Sequence, residues 1–214
     1  MNITERLSFF QEMMQCEYPL HLWRYNPDFE LIETDCPAEL MLPDIISMLG
    51  FSSLVLSHIE SGKRLPLILD TEFALLWIAG FEYQGFELKQ IHIMGPAFTG
   101  SNSHLILRKK LDSYQLTVKL RSKIVRQIES VPIIPSSTLL SYAVMFHCTI
   151  TGEKISADMI SFSSHSEETD TDELAPIADE HPGIWMAEQT FLSMIREGNP
   201  DYRRALGKSM TLSS

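Results

Sequence analysis

The sequence predicts an α+β fold: a central antiparallel sheet flanked by helices, with a C-terminal helical extension. Three observations lead there. Residues 73–94, FALLWIAGFEYQGFELKQIHIM, demand burial on both sides of an extended backbone, as a central strand pair does. Stretches before and after it carry apolar residues at helical spacing instead. The last quarter is set apart by charge, with four basic and ten acidic side chains in residues 161–214.

In chain order, Asn2 followed by Glu5 is a helix start, and Ile3, Leu7, Phe10 and Met14 fall on one stripe, so a helix is expected to about Cys16. Two short strands are expected around the turn Asn26-Pro27-Asp28, with Trp23 and Tyr25 before it and Phe29, Leu31 and Glu33 alternating after it. Helical spacing returns from Ala38 to Leu49 and from Ser52 to Glu60, limited by Pro43 and by Ser61-Gly62. Pro66 to Asp70 goes back to sheet, and Gly95-Pro96 is expected to stop the hairpin, because proline cannot donate to a ladder. Two or three helices should fill residues 103–150, ending at Thr151-Gly152, with a last strand over Asp158–Phe162.

Within the hairpin, Phe73, Trp77 and Phe81 share one face at period two. Gln84-Gly85-Phe86-Glu87 is the length of a hairpin loop, with glycine available for a positive φ. A loop of two or four residues would put Gln90, His92 and Met94 on the face of Trp77 and Phe81; a loop of three would reverse this. On the even count these five residues form an aromatic surface with two polar handles, the candidate ligand site. The plainer reading of His92 is a core histidine satisfied by a backbone carbonyl, and of Trp77 and Phe81 simple core.

Several classes are set aside by composition. The net charge of −11 argues against nucleic-acid binding by these residues, since neutralising phosphates supplies most of such affinity. No apolar run approaches the roughly 20 residues a membrane-spanning helix needs, and the amino terminus lacks a basic region followed by an apolar one. A cytoplasmic protein with no membrane contact is expected. Cys16, Cys36 and Cys148 are far apart without CxxC spacing, so reduced buried thiols are expected, and no metal. Asp70 and Glu72 stand two apart on a presumed strand, as an acid/base pair would, but no GxSxG elbow, HExxH or phosphate loop accompanies them. An enzyme is not expected, nor a cofactor. Arg108, Lys109, Lys110, Lys119, Arg121, Lys123 and Arg126 are the one basic concentration, read as the wet face of a helical block.

Residues 165–182 hold seven acids and no lysine or arginine, and read as an extended linker. Beyond them Ile184, Ala187, Phe191, Met194 and Ile195 form an amphipathic stripe that must dock on something, a second copy included. That helix ends at Gly198-Asn199 and Pro200 opens another.

Arg196, Glu197, Gly198, Asn199, Asp201, Tyr202, Ala205 and Leu206 match a motif of the type ReGNxDYxxAL. In this segment of about twenty residues the chain resembles bacterial AraC-family transcription regulators. The resemblance implies that residues 1–164 form a PAS- or GAF-like sensing domain, that 165–182 link it, and that 183–214 lead to a helix-turn-helix domain not among these residues. It further implies a small-molecule effector, a homodimer with Ile184, Phe191 and Ile195 in the dimer or relay helix, and DNA contact only through the missing domain. The other readings are a ligand-free interaction or dimerisation domain and a small enzyme.

Overall fold

The computed structural model describes residues 2–37, 51–71, 75–100, 108–109, 111–112, 114 and 116–164. The chain divides into two units, Met1–Glu167 and Glu168–Ser214, and every described residue belongs to the first. The expected helix over 38–49, Glu72, Lys110, the linker and the extension with Ile184, Phe191 and Ile195 lie outside the described residues.

Helix α1, Ile3–Gln15, starts at a capping box: Asn2 Oδ1 accepts from Glu5 N at 2.8 Å while Glu5 Oε2 accepts from Asn2 N at 3.0 Å. Strands β1, His21–Tyr25, and β2, Leu31–Thr34, pair antiparallel. Phe29 is not in the second strand. It holds a left-handed φ of 63° in the turn, where its N–H and that of Glu30 both bond to Asn26, and its ring stacks on Tyr25 at 4.6 Å.

Helix α2 is described over Phe51–Glu60, followed by β3, Leu67–Asp70, β4, Leu76–Gln84, and β5, Glu87–Ala97. Strand β5 runs through Pro96 instead of stopping there. Leu76 pairs with Ala97 and Ile78 with Met94, so Gly95 and Pro96 fall in a bulge where the ladder asks no donor of the proline. Helices α3, Val118–Ile128, and α4, Ser136–Thr151, follow, the latter capped by Gly152 at φ 80°. The last expected strand is displaced. Asp158 lies in a 3-10 turn, Ala157–Met159, and β6 is Ser161–Ser164, beginning where Ser161 N donates to Pro66 O at 3.0 Å.

The sheet has six strands in the order β2-β1-β5-β4-β3-β6. Neighbours are antiparallel except β3 and β6, so the sheet is mixed where an antiparallel one was expected. A chain that returns to β3 only after α3 and α4 has the length a parallel connection requires.

Register assigns every residue a layer. Tyr25, Ile91 and Phe81 align across one face, as do Trp23, Ile93, Ala79 and Leu67; with Trp77 and Leu69 they pack in one core with Phe51 and Val55 of α2 and Ile124 and Ile128 of α3. The opposite face carries Leu22, Met94, Ile78 and Ile68, and Arg24, His92 and Gly80. Helix α4 lies on that face at Gly80, where an added Cβ would stand 2.4 Å from Ile150 Cδ1 and 3.2 Å from Phe146. Helix α1 packs against α4, Phe10 stacking on Phe146 at 5.7 Å. The sheet is therefore the middle of three layers. Among the described residues no helix is long and apolar enough to cross a membrane.

Candidate functional site

The turn between β4 and β5 is the two residues Gly85 and Phe86, with Gly85 at φ 64°. By count alone, this should have put Gln90, His92 and Met94 beside Trp77 and Phe81. The register reverses it: Tyr83 pairs with Leu88 but Glu82 pairs with Gln90, so Lys89 is an extra residue on β5. One bulged residue turns over every side chain beyond it. Trp77 and Phe81 face α2, while Gln90, His92 and Met94 face the α4 side. The expected single surface of five residues is in fact two, separated by the sheet.

On the first surface the rings are covered by the chain itself. Trp77 meets Trp23 edge-on at 5.1 Å and Phe51 at 5.4 Å, and Phe81 lies parallel to the His58 ring at 5.2 Å. Trp77 and Phe81 are buried, and Trp77 Nε1 has no hydrogen-bond partner among the described residues. His58 Nε2 donates to Leu65 O at 3.0 Å. Burial lowers the His58 imidazole pKa, opposed by that hydrogen bond and reinforced by Lys63.

The second surface is polar at its centre. His92, fully buried, donates from Nε2 to Glu82 Oε2 at 3.1 Å, and its Nδ1 has no partner among the described residues. The Glu82 carboxyl is held below its ordinary range by that hydrogen bond; burial opposes the shift, and the charges of His92, Arg24 and Arg6 add to it. Arg24 pairs in register with His92 and reaches Glu33 at 2.5 Å, while Arg6 donates to Ile150 O at 3.2 Å. His92 is thus satisfied by a carboxylate and not by a backbone carbonyl. Glu82 was missed in the sequence because the parity count placed it opposite the wrong neighbours.

Asp70 ends β3, in register with Leu76 and Ser164. The described basic side chains follow the wet-face reading: Lys119, Arg121, Lys123 and Arg126 are exposed on α3, Arg121 is paired with Asp112, and Arg108 lies 3.6 Å from Glu129. Of the thiols Cys36 is buried and Cys148 partly so. Cys16 is exposed, correcting the expectation for it; it sits at the open end of α1, bonding back to Glu12 O at 3.3 Å. Comparison with protein-family models, curated proteins and solved structures finds no match.

Proposed function

We propose that this chain is the ligand-sensing and dimerisation region of a cytoplasmic transcription regulator, a PAS- or GAF-like domain relaying effector binding to a helix-turn-helix domain outside these residues. The observation that carries the reading is the run Arg196, Glu197, Gly198, Asn199, Asp201, Tyr202, Ala205 and Leu206, placed C-terminal to a helix-flanked sheet. A sensor acts by differential affinity for two states, so binding need only bias the packing of the sheet layers. Nothing in this role asks the domain for catalysis or for DNA contact of its own.

The test is a fusion of residues 1–214 to a DNA-binding domain that represses a reporter only as a dimer. Repression is expected, with at least a tenfold loss in Phe191→Asp and Ile195→Asp. A fusion that never represses, from a chain that sediments as a monomer, sinks the proposal.

A second reading, a ligand-free interaction domain, is favoured by one observation. Phe51, His58 and Trp23 cover the rings of Trp77 and Phe81, the surface expected to hold a guest. A thermal-shift screen separates the two readings: Tm shifts by metabolites support a sensor, and their absence across a broad library supports the interaction domain.

A further inference from the structure

At the end of the sheet where β1 begins and β5 finishes, a cleft of about 160 Å³ opens toward the chain that follows α3. His21, Cys36 and buried Pro96 line it together with Gln127, Ser130 and Pro132. Pro19 and Val131 complete it. Its walls are fixed by backbone: Phe98 N donates to Pro132 O at 2.9 Å and Ile134 N to Phe98 O at 2.7 Å, tying the segment after α3 to the end of β5.

The imidazole in the wall is held by Asp35. Asp35 accepts from Leu22 N at 2.6 Å, Gln15 Nε2 at 2.8 Å and His21 Nδ1 at 3.2 Å. Burial raises the Asp35 carboxyl, but the hydrogen bonds from His21 and Leu22 outweigh it and hold the group below its ordinary value, so it stays a carboxylate acceptor. In the tautomer that gives Nδ1–H to Asp35 and leaves Nε2 bare, Nε2 is an acceptor. Ser130 gives its hydroxyl proton to Gln127 O at 2.6 Å, which leaves its oxygen accepting as well. Pro19, Pro96, Pro132 and Val131 give the lining its apolar part, beside Cys36 and Gln127.

Two acceptors in a proline-walled space of this size define a guest. A cavity of roughly 150 Å³ takes one benzene-sized ring, and acceptors require that the ring carry a donor. We propose that this cleft binds a small single-ring molecule bearing a hydrogen-bond donor, of the phenol or aromatic-amide kind, with His21 and Ser130 as its acceptors. As the effector site of a sensor the cleft rests on the reading above; as a binding site it stands on its own geometry.

The experiment is an amide-shift NMR titration of the whole 214-residue chain with phenol, benzamide and the donor-free anisole. Saturable shifts confined to residues 19–22, 36 and 127–132 are expected with phenol and benzamide, and at least tenfold weaker binding with anisole. Ser130→Trp and Pro19→Trp, both at exposed positions, should each weaken phenol at least tenfold while leaving amides elsewhere unshifted. The proposal is overturned by no saturation with phenol or benzamide, by anisole binding as well as phenol, or by two folded tryptophan variants that bind phenol like the parent. Phenol bound by a chain whose fusion never represses would keep the cleft and remove the sensor, so the two failures are distinguishable.

Discussion

His147, on α4, is 3% exposed, and among the described residues neither ring nitrogen has a hydrogen-bond partner. A buried polar group left unpaired costs about 1–3 kcal/mol, so His147→Leu, similar in volume and without polar atoms, should stabilise the fold by roughly 1–2 kcal/mol. At about 2–4 °C per kcal/mol for a chain of this size, calorimetry should find Tm higher by several degrees; an unchanged or lower Tm means the imidazole has a partner in solution. Gly80 is the opposite case, a place where the absent side chain is the structural requirement. Its Cβ position lies 2.4 Å from Ile150 Cδ1, so Gly80→Ala should destabilise by about 1–3 kcal/mol through overpacking. Ile150→Val removes that methyl. The double variant should therefore lose less stability in urea than the two single variants added together, and simple additivity would show that the contact does not govern the site.

At the scale of elements, what the sequence made legible was local. Asn2 and Glu5 announced α1, because a capping box is written in two residues three apart, and Gly152 announced the end of α4. Asn2→Ala should cost about 0.5–2 kcal/mol, read as a lower urea midpoint at unchanged slope; a changed slope would mean that α1 does more than cap and pack. The candidate site was legible only in half. That residues 76–84 and 87–97 are paired, buried strands follows from their apolar runs, but which residues share a face depends on Lys89, an exchangeable polar residue near a turn that nothing in the sequence marks as extra. The Glu82–His92 pair was hidden for the same reason. The parallel β3–β6 pairing was also hidden, since it joins segments about ninety residues apart and no local pattern encodes so distant a partner.

The response of the whole molecule to acid follows from groups in different layers. His58 and His147 have imidazoles lowered chiefly by burial, so the unfolded chain takes up protons near pH 6.5 that the folded chain refuses. Their stabilising contribution is present above that pH and is lost as pH falls toward the depressed folded values. Asp35 and Glu82, lowered from 3.8 and 4.5, act with the same sign at lower pH, contributing above those values and losing it below them. Stability followed by circular dichroism should accordingly fall in two stages on acidification. His147→Leu should shrink the upper stage and leave the lower one; a variant with the parent's profile would show that the histidine does not titrate with unfolding.

The extra residue in β5 makes the middle layer intolerant of a change in length at one spot. Deleting Lys89 would invert the strand from Gln90 to Met94, sending a carboxylate-bonded histidine in among tryptophans and two isoleucines out beneath α4. Lengthening the neighbouring Gly85-Phe86 tip, where Phe86 is 93% exposed, asks no such exchange. Sequences descended from a common ancestor with this one should vary freely in that tip and keep an unbroken residue count from Glu87 to Ala97.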